Sequence, residues 1–397
     1  MQRRDFFKSS ALASSALLIP NFLKAYHPTR LASSRSGNIL VVIQLSGGND
    51  GLNTIIPYRN DIYYKKRPTL SIKAEEVLQV GDELGFNPAL ASLRPLYERG
   101  EMTVINSVGY PNPDRSHFRS MDIWHTGSGS EEYWSSGWLG RFLDNNCTAC
   151  EVPHYMMELD ESLSLAMKGE HRSGFAAENV AQLKKITKNR FLKAVATDHT
   201  HEGEDNVAYL YKTMIETQQS ANYLYEKSKV YTSEIEYPQN NFGKDLKQIA
   251  ELITADTDTR IYYVSLSGFD THAFQKNPQN RLLKQYADGV GAFVQDLKHN
   301  KLFNEVTILT FSEFGRRVRQ NASGGTDHGT ANNVFVMNGK LKTSGFYNAA
   351  PNLADLDNGD LKYEIDFRRV YASLLEDCLQ SDAQAVLKGG FDKLKLF

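Results

Sequence analysis

Cysteine is scarce: three occur in 397 residues, at Cys147, Cys150 and Cys378. That is too few for a disulfide framework. The lone C-T-A-C at 147–150 has neither a second pair nor a histidine partner, so it reads as a surface disulfide or free thiols rather than a zinc knuckle. Cys378 falls in an amphipathic helix pattern and reads as a buried thiol. An excess of one charge is also lacking. Lys and Arg number 45 against 47 Asp and Glu, for a net charge of −2. No basic stripe stands out, so nucleic acid is not an expected partner. No G-x-G-x-x-G follows the first apolar run, which sets aside a dinucleotide cofactor. Internal repeats and low-complexity segments are missing. Beyond residue 25 no apolar run is long enough to cross a bilayer. What is present is a hydrophobic content of 41%, ample for a large core.

The first 25 residues, MQRRDFFKSSALASSALLIPNFLKA, are read as lying outside the fold. Arg3-Arg4 is followed by Phe6-Phe7-Lys8 and a weakly apolar run from Ala11 to Ile19. This resembles a twin-arginine export signal. A short anchor or a fortuitous arginine pair is the alternative, but the run is brief and Pro20 breaks it. A periplasmic or otherwise exported protein is expected, with the Tat translocase as partner during export and no stable transmembrane segment after cleavage. No clean A-x-A site fixes the cut, which is placed near Ala25. The route carries folded proteins, often loaded with a metal or cofactor.

Residues 38–397 are read as one α/β domain with insertions around 65–85 and 152–207. The run from Asn38 to Leu45 is apolar throughout, as in a central parallel strand buried on both faces. Ser46-Gly47-Gly48-Asn49-Asp50-Gly51 follows at once. Asp50 is either a carboxylate held at a strand end or a residue of an Asn-Asp-Gly turn. A helical pattern over 89–98 leads to a strand at 102–107. Asp114-Arg115-Ser116 then opens another helix, whose positive end favours an anion. Ser116 suits an N-cap there, and equally a nucleophile. His117 adjoins it.

Further on, the strand at 260–266 ends in Ser267-Gly268-Phe269-Asp270-Thr271-His272. Asp and His two apart on a strand-end loop is the strongest metal-ligand spacing in the chain. The stretch 306–339 holds two strand-like runs, with Ser312-Glu313 and Arg316-Arg317 after the first and Thr326-Asp327-His328-Gly329 before the second. Four strand-end loops thus carry acids or imidazoles: Asp50, Asp270 with His272, Glu313, and Asp327 with His328. An α/β sheet brings such ends together. Mixed carboxylate and imidazole donors suit a divalent metal, zinc ahead of manganese, magnesium or calcium.

The set RRDFFK, QLSGGNDGLNTIIPY, SHFRSMDIW, SLSGFDTH, FSEFGRR, GGTDHGTANNVFVMNG and DFRRVYASLLED resembles the DUF1501 family. That family is Tat-exported and uncharacterised, and is similar in architecture to the alkaline phosphatase and sulfatase superfamily. The resemblance implies a three-layer α/β/α fold with a mostly parallel central sheet. It places Asp50, or Asn49, on an aspartate that bridges two metals, and Ser116 on the helix-opening nucleophile. It places Asp270, His272 and His328 on the ligands of one metal. The second metal there takes an Asp-His pair after a strand, where this chain has Glu313-Phe314. Phenylalanine cannot ligate, so the second site reads as depleted unless His117 or Asp327 substitutes. The expectation is a metal-dependent hydrolase of a phosphate or sulfate ester, small or polymeric, in which Ser116 attacks and Arg316 holds the anion. The rival expectation is a non-catalytic envelope protein that binds or assembles and has kept the fold.

Overall fold

The computed structural model describes residues 38–146, 152–187 and 206–397. The twin-arginine stretch, Cys147 and Cys150 lie outside them. From Asn38 to Phe397 the chain forms one compact unit. No helix among the described residues is long and apolar enough to cross a membrane.

The central strand is β1 (Ile39–Ser46), and its side chains alternate between two cores. Val41 and Ile43 enter one cluster, Leu40 and Val42 the other. A strand buried on both faces needs no polar alternation, hence the continuous apolar run. The other strands that matter are β2 (Met102–Gly109), β3 (Met156–Glu158), β4 (Phe175–Ala176), β5 (Ile261–Ser267), β6 (Val306–Phe311), β7 (Asn332–Met337), β8 (Gly345–Phe346) and β9 (Ile365–Asp366). Among the described residues they form a nine-stranded sheet in the order β8-β2-β7-β6-β1-β5-β3-β4, with β9 also on β2. β1 runs parallel to β5 and β6, in register Val41 to Tyr262 and Val41 to Ile308. β7 alone is reversed, antiparallel to both β6 and β2. The start of β7 therefore lies at the same sheet edge as the ends of β1, β2, β5 and β6.

Helices cover both faces. On one pack Asn241–Thr254 and Lys276–His299, through Leu246, Ile249, Leu283 and Tyr286. On the other pack α1 (His117–Thr126), α2 (Trp138–Asn146) and α3 (Phe367–Ser373), through Trp124, Trp138 and Tyr371. The fold is three-layered α/β/α with a mostly parallel central sheet. Two sequence expectations are refined. The helix at 89–98 is a 3₁₀ segment, Pro88–Leu93, followed by a short α-helix, Arg94–Glu98. The backbone kinks at Leu90 (φ −89°, ψ 16°) within the 3₁₀ segment, and Pro95 lies in the first turn of the α-helix, where its missing N–H breaks no ladder bond. The final helix passes into a π-helical turn at Leu374–Cys378.

Helix α1 is fixed by its far end. Trp124 stacks between Phe311 of β6, at 4.8 Å, and Phe367 of α3, at 4.4 Å. Gly127 closes the helix in the left-handed conformation (φ 72°). Its first residues are thereby held beside the end of β6. The loop after β1 is drawn in tightly too. Gly47 has φ 115°, and a Cβ there would lie 2.4 Å from the backbone nitrogen of Asp270. Only glycine permits both that conformation and that approach.

A fully buried ion pair ties the segment that follows Asp61–Lys66 to this edge. Arg67 Nη1 lies 2.6 Å from Asp50 Oδ2, with neither side chain exposed. Arg67 also donates to Asn53 Oδ1, Val318 O and Arg317 O. Losing one partner strands a charge, which costs about 3–5 kcal/mol. Arg67→Met is expected to lose that much in urea unfolding. The double variant Arg67→Met/Asp50→Asn is expected to recover at least half, since the stranded charge is then gone.

Burial also pushes the Glu158 carboxyl of β3 up to about 7, although it accepts a hydrogen bond from Ser164 N. Between the ordinary value of 4.5 and about 7 the folded chain holds a proton that the unfolded chain releases. That contribution to stability is complete below the ordinary value and is lost as pH rises through about 7. Glu158→Gln is expected to flatten this stretch of the stability–pH profile measured by thermal unfolding.

Candidate functional site

The loops after β1, β5 and β6, the loop before β7 and the start of α1 meet at one sheet edge. A short antiparallel ladder aligns two of them: Gly315 with Thr330, Arg317 with Asp327, and Arg316 opposite His328. Beneath it lies the Arg316 guanidinium, with a side chain wholly out of solvent. It donates to Gly47 O at 2.5 Å, Gly48 O at 2.7 Å, Phe269 O and Thr326 O at 3.0 Å, and Asp270 Oδ1 at 2.7 Å. Sequence reasoning gave Arg316 the task of holding a substrate anion. Here its donors are spent inside the protein, and what it holds is Asp270.

Asp270 Oδ1 is the centre of the site. Around it stand three imidazole nitrogens: His272 Nε2 at 2.9 Å, His328 Nε2 at 3.3 Å and His117 Nε2 at 3.4 Å. His272 Nε2 and His328 Nε2 are 2.9 Å apart. The donor atoms of His117, Asp270 and His328 all lie within 4.8 Å of one another. Burial alone would raise the Asp270 carboxyl; Arg316 overrides it, with His328 and His272 helping, and holds it down at about 2.

The opposite ring nitrogens face other partners. His328 Nδ1 donates to Arg115 O at 2.8 Å. A carbonyl only accepts, so in the neutral ring Nε2 keeps its lone pair. His117 Nδ1 lies 2.9 Å from Glu313 Oε1, while its Nε2 is buried without a hydrogen-bond partner. His272 Nδ1 is 3.6 Å from Asp327 Oδ1. An outer carboxylate or carbonyl on the far nitrogen is how proteins orient metal-binding imidazoles. Bonds of 2.0–2.1 Å in a tetrahedron set neighbouring ligand atoms roughly 3.3 Å apart. The three spacings about Asp270 Oδ1 fall close to that edge, so the residues fit a small divalent ion. Burial also lowers His328, toward the neutral form that a metal requires. His117 is raised, first by the hydrogen bond it donates to Glu313.

The remaining sequence candidates take different places. Glu313 is buried; Oε1 accepts from Gly47 N at 2.8 Å and meets His117, so it orients a ring. Asp327 is exposed and held by Asn321, whose hydrogen bond lowers its carboxyl. Asp50 is not among the donors about Asp270. Its Oδ2 is taken by Arg67 and Gln275, and its buried Oδ1 has no partner. Ser116 is the N-cap residue of α1, but its hydroxyl makes no capping bond and the residue is exposed. It lies between Arg115 and His117, both of which contact the cluster. His125 is apart, buried in the core against Gln44 and Tyr263, where burial pushes it down to about 4. Phe314, which cannot ligate, packs against His117 and His328 with ring centroids 4.8 and 4.9 Å away. Sequence reasoning missed Arg67 and Gln275. Neither sits in a recognisable motif, and only the fold carries them to Asp50.

Comparison with known proteins adds the following. No curated protein matches the chain. Among solved structures, it is similar to the PsFucS1 sulfatase from Pseudoalteromonas sp., at 11% identity over 91% of this chain and 74% of that one, with a TM-score of 0.38. It is also similar to the zinc complex of the C-terminal periplasmic domain of EcEptC from Escherichia coli, at 10% identity, 77% and 74% coverage and a TM-score of 0.36. A third is the lipoteichoic acid synthase LtaP from Listeria monocytogenes, at 10% identity, 78% and 68% coverage and a TM-score of 0.33. Likenesses this loose carry no residue role across. The family comparison is firmer: the model described as "Protein of unknown function (DUF1501)" matches residues 72–365. The chain belongs to the DUF1501 family.

Proposed function

We propose that this chain is an exported, metal-dependent hydrolase of phosphate or sulfate esters. The observation that carries the reading is the ring of three imidazole Nε2 atoms about Asp270 Oδ1, 2.9–3.4 Å away, two with a far nitrogen held by a hydrogen-bond partner. His117, Asp270 and His328, with His272 beside them, would hold a divalent ion, zinc by donor chemistry. Bound there, it supplies the positive charge that polarises a phosphoryl or sulfuryl oxygen. The chain's own residues do the rest. Asp270 stays ionised because Arg316 grips it. Glu313 and Arg115 O hold two imidazoles in orientation. Ser116, with a hydroxyl free of capping, is the nucleophile. Its Oγ gives up its proton and bonds to phosphorus or sulfur as the bond to the leaving alcohol oxygen breaks, and that oxygen takes up the proton. Water then releases the acid and restores the serine. Export rests on the arginine pair near the N-terminus.

A second reading is favoured by Phe314 and Arg67. An apolar ring packs against the imidazoles, and an arginine occupies Asp50, so the chain is then a non-catalytic envelope protein that binds or assembles, keeping the fold with a depleted metal site. The two readings part on measurement.

Elemental analysis of protein purified from its exported compartment is expected to find about one zinc per chain, as a single cluster allows. Asp270→Asn and His328→Ala should each lose it. Wild type without stoichiometric metal would sink the hydrolase reading and leave the second. Nitrophenyl phosphate, a phosphodiester and a sulfate ester are then offered to the loaded protein. Turnover of one is expected, falling on the order of 10³-fold or more in Ser116→Ala while metal content holds. Turnover that survives that change removes Ser116 from its role; metal without any turnover leaves the binding reading.

A further inference from the structure

Two arginines stand beside the cluster without being part of it. Arg115 and Arg317 both turn to one carboxylate, Asp360. Arg115 donates through Nε at 2.8 Å and through Nη2, and Arg317 Nε stands 3.5 Å from the other oxygen. The Asp360 side chain is fully buried, and its Oδ1 has no hydrogen-bond partner. The guanidinium-bearing side chains stay 43% and 38% exposed. Two guanidiniums thus converge on one buried carboxylate, with Asp327 within electrostatic reach of Arg317, and their outer edges face solvent. Guanidinium is also the cation whose fork matches paired oxyanion oxygens.

Their placement follows from His328. Arg115 O accepts from His328 Nδ1, and Arg317 N donates to Asp327 O at 3.0 Å within the ladder that pairs Arg316 with His328. The backbones on which the two arginines sit therefore flank the imidazole. Arg115 also immediately precedes Ser116. Arg316 cannot serve in their stead, since it is buried and its donors are spent.

We propose that Arg115 and Arg317, held together by Asp360, are the seat for a tetrahedral oxyanion: the phosphate or sulfate half of the ester. The seat deepens the hydrolase reading by naming what binds the substrate's anionic group, and it rests on that reading only for the ester. Anion affinity is measured apart from turnover, so the two fail separately.

Inorganic phosphate and inorganic sulfate are titrated calorimetrically into metal-loaded and metal-stripped wild type, Arg115→Gln, Arg317→Gln and the double variant. Each single change is expected to weaken binding of the preferred anion about 10-fold, and the double change about 100-fold, in keeping with the loss of charge-assisted hydrogen bonds. Metal content should not move. Arg317→Lys, which keeps the charge and loses the fork, should fall between wild type and Arg317→Gln. If wild type holds no metal, the hydrolase reading fails, while weaker binding to the stripped variants still upholds the seat. Undiminished affinity in the double variant overturns the seat; should that variant not fold, undiminished affinity in Arg317→Gln does so. Absence of binding of either anion to wild type in both forms overturns it as well.

Discussion

Every feature of the site hangs on the Arg316 guanidinium. One planar cation binds the loop after β1 through Gly47 O and Gly48 O, the loop after β5 through Phe269 O and Asp270, and the loop before β7 through Thr326 O. These segments are far apart in sequence. A buried charge is tolerated only when its donors are satisfied and a counter-charge is near, and closing the three loops about it meets both demands. Lysine has one compact ammonium and no fork, so it would not span the same set of acceptors. The clasp also explains why Gly47 is glycine, for any side chain there would push against the Asp270 backbone.

The α/β character was legible because periodicity reports burial, while the three-layer arrangement was implied by the family resemblance. An unbroken apolar run such as β1 implies cover on both faces, and the amphipathic helices supply it. The converging loops were legible as well, since acids and histidines cluster just beyond strands. What pattern does not carry is pairing direction. Nothing in Asn332–Met337 marks β7 as the reversed strand, yet the reversal is what brings His328 to the same edge as Asp270. Nor does pattern tell a ligand from a support. Asp50, Asp270 and Glu313 look alike in sequence, as acids after apolar runs.

Neighbouring cations separate these three acids. Arg67 and Gln275 take one oxygen of Asp50, and Glu313 meets Gly47 N and the His117 ring. Asp270 alone is partly exposed and faces several imidazoles. The same logic gives Phe314 a role. It is a buried wall against His117 and His328. Gly48 lacks a Cβ where that ring lies, and a Cβ there would come within 2.2 Å of it. The packing limits where the two rings can turn, and their far-nitrogen partners limit how.

Charge follows burial through the whole edge. In the deepest layer Arg67 faces Asp50, cation for anion, with both side chains hidden. Next, Arg316 faces Asp270, the cation hidden and the anion half open. At the surface, Arg115 and Arg317 face the single carboxylate of Asp360. An unmatched charge is costly in the interior and cheap in water, so only the outermost layer can keep charged donors open. Arg115 and Arg317 keep guanidinium edges open to solvent there, beside Asp327, so donors remain for an oxyanion arriving from outside. Arg67 and Arg316, hidden and satisfied within the protein, offer no such edge.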